Sequence, residues 1–264
     1  MKPVGPRSAL RALDILNLLS NSEVPHTLTS ISEHLSLPKT STLSLLRMLE
    51  KGSYTTLERS RYELGPQAFQ LALAINRNRG FPGMLHASLE QLARACNETC
   101  FLGSLCDNKV EVEYLDVIES ANPLRYAVRV GDVRPLHSST VGKISLAHFG
   151  DARLGEYFRT VERKRYTEMT ITDEGELRAQ IVQIRRERFA ENISAMIDGL
   201  SSYGVPIYSL DNRLAGAVVA SGPAHRMEPR KDELHAMLTT AGQQMSRLLN
   251  STDVYPPSEL TLID

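Results

Sequence analysis

Seven consecutive residues, HSSTVGK at 137–143, set an imidazole, three hydroxyls and an amine side by side. Two chemistries suit such a set. One is a serine nucleophile with a histidine base. His137 and Ser138 are adjacent, however, and adjacent side chains on a regular element do not face one another. No GxSxG elbow, HExxH motif, P-loop or dinucleotide-binding glycine motif accompanies them, so His137 reads as a packed or capping residue. The other chemistry is anion binding. Hydroxyls ahead of the apolar run ISLA mark a helix start, where unsatisfied N–H groups and the positive dipole end favour a carboxylate. The same hydroxyls also serve as plain helix caps. Residue types alone leave both readings open.

A second candidate stretch is LPKTSTLSLLRML at 37–49. Pro38 suits a first helical turn, where a missing N–H has no partner to lose. Thr42, Leu45, Leu46 and Leu49 recur at the spacing of a buried stripe. Thr40, Leu43, Ser44 and Arg47 repeat that spacing on the opposite face, with Lys39 and Ser41 beside them in the first turn as further DNA-contact candidates. Such a face is either ordinary solvated surface or a recognition helix in a DNA major groove. In the second case hydroxyls and N–H groups meet phosphates, and long side chains reach base edges.

The neighbouring elements favour recognition. SALRALDILNLLS (8–20) reads as an amphipathic helix, and Thr29 as the cap of a short helix that carries Ile31 and Leu35 inward. Two short helices so closely joined make a helix-turn-helix. SYTTLERSRYELG (53–65) reads as a β-hairpin with Arg59 and Arg61 near its tip. Helix, helix, helix, hairpin is a winged helix-turn-helix, and arginines on its wing lie where phosphates or a minor groove would be.

PQAFQLALAINRNRG (66–80) reads as a linking helix, whose Leu71, Ala74 and Ile75 suit pairing with a second copy or packing on the same chain. Beyond Pro82, helices at 82–96, 173–190 and 231–249 alternate with strand-like runs at 100–106, 110–118, 124–131, 204–210 and 214–222. That mixture is an α+β domain. STDVYPPSELTLID (251–264) has two prolines and no periodicity and reads as loose. The expected division is 1–65 DNA-binding, 66–81 linker helix, 82–250 second domain and 251–264 tail.

Composition agrees with a two-domain globular chain: 264 residues, 42% hydrophobic and 23% charged. The net charge of −1 says nothing for nucleic acid. Its distribution says more: residues 1–81 hold ten Lys/Arg against six Asp/Glu, a net of +4, and the remainder holds 20 against 25, a net of −5. Cys96, Cys100 and Cys106 form no paired CxxC motif and read as buried thiols rather than a zinc site. No apolar run approaches the ~20 residues of a membrane span. The segment Leu10 to Leu19 is interrupted by Arg11, Asp14 and Asn17, unlike a signal core. A cytoplasmic protein without cofactor or metal is expected.

In order along the chain, ALRALDILNLL, LTSISEHLSLPKTSTLSLLRMLEKGSY, RYELG, PLHSSTVGKISLA and YGVPIYSLDNRLAGAVVASGP resemble the IclR family of bacterial transcriptional regulators, from Ser8 to Leu249. The resemblance implies a winged-helix domain, a linker helix and a GAF-like antiparallel-sheet effector domain. It also implies a homodimer or homotetramer on double-stranded operator DNA, repressing or activating catabolic operons in response to a small organic acid. Transferred by motif, the effector pocket comprises backbone at Ser138 and Ser139, an apolar wall from Leu124, and Asn192, Ser202, Val219 and Ser221.

Three departures stand out. Ala195 falls where many relatives have Glu, Val219 where some have Ser or Cys, and Leu43 and Ser44 where larger polar residues are common. Two other function classes compete: a hydrolase-like enzyme with an accessory winged helix, and a winged helix that binds protein. Lys39, Arg47, Lys51, Arg59 and Arg61 on the binding side speak for DNA.

Overall fold

The computed structural model describes residues 7–22, 24–79, 81–249, 255–257 and 260–263. The chain forms two compact units, Met1–Gly80 and Phe81–Asp264.

In the first unit, α1 (Arg7–Ser20), α2 (Leu28–His34) and α3 (Lys39–Lys51) precede the hairpin of β1 (Thr55–Glu58) and β2 (Arg61–Leu64), and α4 (Pro66–Arg79) follows. Ile15 and Leu19 of α1, Ile31 of α2, Leu46 of α3 and Tyr62 of β2 form its core. Thr27, not the expected Thr29, caps α2, accepting from the Ser30 N–H at 3.2 Å. Thr29 therefore lies inside the first turn. Arg59 and Ser60 join the strands at φ +47° and +64°. Two successive left-handed residues suit a two-residue turn that follows the twist of the strands. Leu71 on α4 is exposed; the side chains of Ala74 and Ile75 lie outside the described residues.

The second unit is built on one antiparallel sheet. Its elements are α5 (Phe81–Cys96), β3 (Thr99–Leu105), β4 (Glu111–Ile118), β5 (Val133–Pro135), α6 (Thr140–Ala147), α7 (Asp151–Thr160), α8 (Glu174–Glu187), β6 (Ala190–Ile193), β7 (Leu200–Tyr208), β8 (Leu214–Pro223), α9 (Ala224–Met227) and α10 (Lys231–Leu248). The strand order is β5-β4-β3-β8-β7-β6.

Strand alternation sends Cys100, Leu102, Val218 and Ala220 to the face covered by α5 and α10, and Phe101, Ala217 and Val219 to the face covered by α6. Gly204 lets α6 lie close to the sheet, since a Cβ there would sit 2.8 Å from Thr140 Cγ2 and 2.9 Å from Val219 Cγ2.

Two expectations are corrected. Residues 124–131 join no ladder; instead Tyr126 and Val128 are buried in the α6-side core, and the Tyr126 carbonyl accepts from Thr99 Oγ1 at 2.8 Å. The tail, expected to be loose, docks where it is described. The Tyr255 hydroxyl donates to Pro206 O at 2.9 Å, and the Ile263 N–H donates to His148 O at 2.7 Å. No helix among the described residues is long and apolar enough to cross a membrane.

Candidate nucleic-acid and effector sites

The outward face of α3 matches the periodicity. Thr42 and Leu46 are buried, Lys39, Thr40, Ser44 and Arg47 are exposed, and Ser41 and Leu43 are half-buried. Two hydrogen bonds fix the α2–α3 turn: Ser32 Oγ donates to Leu37 O at 2.5 Å, and the Leu37 N–H to Ser32 O at 2.9 Å. Pro38 opens α3 without a side-chain cap. Among the described residues no side-chain cap covers the first-turn N–H groups, an arrangement that suits an anion, and Lys39, Thr40 and Ser41 lie around them. On the wing, Arg59 and Arg61 are both exposed. Arg61 is also tethered, its Nη1 donating to Pro25 O at 3.1 Å.

In the second unit, strand register sets a polar row across four strands. Thr99 of β3 pairs with Ser221 of β8, Ser221 with Ser202 of β7, and Ser202 with Asn192 of β6. The amino end of α6 roofs this row. Thr140 Oγ1 lies 2.6 Å from Ser202 Oγ, Asn192 Nδ2 donates to Ser138 O at 2.8 Å, and Ser221 Oγ donates to Ser201 O at 3.3 Å.

Ser139 is the helix cap, donating to Pro135 O at 2.7 Å and accepting from the Gly142 N–H at 3.1 Å. Gly142 is required there, because a Cβ would fall 2.4 Å from the Leu136 backbone. Ser138 Oγ, fully buried, has no hydrogen-bond partner among the described residues. Burial lowers the pKa of His137, and its ring meets Lys164 O through Nε2 at 2.9 Å.

Four of the transferred residues, Ser138, Asn192, Ser202 and Ser221, thus converge with Ser139 beside them. Val219 lies on the same sheet face, fully buried against the α6-side core. Leu124 does not join them. Its side chain is 63% exposed, and only its carbonyl is engaged, by Arg226 Nη2 at 2.9 Å. The apolar-wall role is withdrawn, because an exposed side chain excludes no water from the row.

The residue sequence reasoning missed is Lys143. Every residue of α6 is buried, Lys143 included at 2% exposure. Its Nζ donates to Asn192 Oδ1 at 2.9 Å. Burial pulls its pKa down to about 8, partly offset by the charge of Glu191. A lone lysine inside TVGKISLA was the available signal, since a charge is seldom buried without a purpose.

The chain thus has two parts, a winged helix with an open polar face on α3 and an α+β sheet unit. Residues 8–58 match the IclR helix-turn-helix domain, and residues 83–247 match the bacterial transcriptional regulator IclR C-terminal domain. The chain belongs to the IclR family and is accordingly a DNA-binding transcriptional regulator, not an enzyme.

Among its relatives, the probable transcriptional regulator SauR of Cupriavidus necator is 30% identical over 222 residues, covering 83% of this chain and 87% of that protein. The HTH-type transcriptional regulator KdgR of Escherichia coli is 28% identical over 258 residues, covering 97% of each. The crystal structure of the Thermotoga maritima IclR superposes with a TM-score of 0.62 at 24% identity, over 93% of this chain and 99% of that one, and supports the shared fold.

Proposed function

We propose that this regulator controls a catabolic operon and responds to a small organic acid bound in its second unit. Double-stranded operator DNA is read by Lys39, Thr40, Ser41, Leu43, Ser44 and Arg47 on α3, with Arg59 and Arg61 on the wing. Two or four copies act together. The effector occupies the row beneath α6, with Ser138 and Ser139 at the helix end, Asn192, Ser202 and Ser221 as polar contacts and Val219 behind them. One observation carries the sensor reading: the buried, unpartnered hydroxyl of Ser138 at a helix amino end, beside a row of aligned polar side chains. A ligand oxygen there satisfies a group that otherwise costs free energy to bury.

The test begins with duplexes selected from a random pool by the full-length protein. Arg47→Ala should cost about 1–3 kcal/mol and relax preference at one position if the guanidinium reads a base, or weaken all duplexes alike if it meets a phosphate. A carboxylate that raises the melting temperature is then added. Ser221→Ala should blunt the response of the DNA complex to that carboxylate and spare DNA affinity in its absence. Unchanged affinity of Arg47→Ala for every duplex removes Arg47 from the interface. An unchanged response in both Ser202→Ala and Ser221→Ala places the effector elsewhere.

A further inference from the structure

Outboard of edge strand β6, one hydrogen bond away from the polar row, lies a cavity of about 330 Å³. Its wall includes Lys143, Gln180 of α8, and the apolar side chains of Met169, Ile171, Ile184 and Ala195. The volume suits a ligand of a few heavy atoms up to a small ring.

The charges on the wall are unequal. Lys143 is 98% buried by its 2% exposure, and among the described residues no carboxylate lies within ion-pair distance of its Nζ. Glu191 also lines the cavity, but its Oε1 is held at 2.5 Å by Lys231 Nζ. Glu191 is thus paired with Lys231, whereas the Lys143 amine has no carboxylate at ion-pair distance among the described residues. An ammonium has three donors. Asn192 Oδ1 takes one, and an uncharged acceptor compensates a buried cation only in part. A second group is also open: the buried Oε1 of Gln180 has no hydrogen-bond partner among the described residues.

We infer that this cavity is a binding site for a small carboxylate bearing a hydrogen-bond donor, its carboxylate on Lys143 Nζ and its donor on Gln180, separate from the row under α6. The apolar wall takes the carbon skeleton. A 2-hydroxy acid with a short alkyl chain has the required parts, and a neutral amide of the same shape lacks the charge that Lys143 needs. Asn192 connects the two places, since the same side chain accepts from Lys143 and donates to Ser138 O. A carboxylate that recruits Lys143 therefore acts on the position of the α6 amino end.

Calorimetry on the full chain at neutral pH tests this with three probes: 2-hydroxybutyrate, butyrate and butyramide. In the wild type, 2-hydroxybutyrate should bind more tightly than butyrate, and butyramide should not compete. Lys143→Met keeps the stem and removes the charge, and should weaken both acids about ten- to a hundredfold. Lys143→Arg should restore much of the binding, and Gln180→Leu should abolish the preference for the hydroxy acid. Melting curves of each variant establish that it is folded.

Equal binding of the acids by wild type and folded Lys143→Met overturns the inference. So does competition by butyramide, or failure of both acids to bind the wild type at millimolar concentration. Ser202→Ala and Ser221→Ala separate this site from the proposed effector row. Weakening in those variants alone leaves the row standing and removes the cavity; weakening in Lys143→Met alone does the reverse.

Discussion

His148, immediately after α6, shows what burial demands of a single residue. It is 1% exposed, with Nδ1–H donating to Ile144 O at 2.8 Å and Tyr208 O–H directed at Nε2 at 3.2 Å. That arrangement uses the neutral ring, and burial lowers the pKa from 6.5 to about 4. Between those pH values the unfolded chain binds a proton that the folded chain refuses. Stability attributable to this residue is therefore intact above about pH 6.5 and is lost as pH falls towards 4. The difference corresponds to roughly 3 kcal/mol. Melting temperatures of wild type should decline through this window more steeply than those of His148→Gln, whose amide replaces the ring without titrating. Parallel declines would show that other groups govern acid unfolding. Lys143 carries the opposite burden, being kept charged at neutral pH in a place that disfavours charge. Side chains held at such a cost are where binding chemistry is worth testing.

Among the elements, the short helix α9 is held in part by a charge pair. Glu98, between α5 and β3, is 2% exposed in its side chain and meets Arg226 of α9 through two parallel bonds, Nε to Oε1 at 2.7 Å and Nη2 to Oε2 at 2.8 Å. Arg226 also holds the Leu124 carbonyl, so a single guanidinium ties α9 to two loops. Arg226→Ala should destabilise the fold by about 3–5 kcal/mol, mostly by stranding the Glu98 carboxylate. The double variant Glu98→Gln, Arg226→Met should lose less than Arg226→Ala alone in urea denaturation. A larger loss in the double variant would mean that packing, not charge, governs this contact. Glu98 and Arg226 lie 128 residues apart, so no local spacing announces the pair. By contrast α3 was legible because Thr42 and Leu46 repeat within one helix, and the row under α6 was legible through family motifs. β5 and β6, with three and four residues, are too short for alternation to register. The extended run at 124–131 has strand-like residues but lies beside the ladder rather than in it. The tail was misread because its anchors are tertiary: Gly242 of α10 leaves room for the Tyr255 ring, where a Cβ would come 2.4 Å from the hydroxyl oxygen.

At the scale of the whole molecule, the issue is how a small winged helix achieves tight, specific binding. One such module buries too little surface on DNA, whereas a pair related by a two-fold axis doubles the contacts and reads a palindrome. The first unit offers material for pairing. Leu10 and Leu13 of α1 are 62% and 55% exposed, while Ile15 and Leu19 fill the core from its other side; Phe69 of α4 is 57% exposed. Apolar groups left on a surface in this way are candidates for contact with a second copy. Residues 1–81 carry a net charge of +4, which draws the unit to DNA but opposes pairing of like units. Association should therefore strengthen with added salt while DNA affinity weakens. Sedimentation at micromolar concentration should show a dimer or a tetramer, and Leu10→Ser with Leu13→Ser should shift it towards monomer. The same double variant should lose operator affinity by more than its loss of thermal stability explains, because each freed copy keeps only half of the palindrome. A stable wild-type monomer with full operator affinity would defeat this, since a single α3 and wing would then be supplying all the specificity that two copies were invoked to provide.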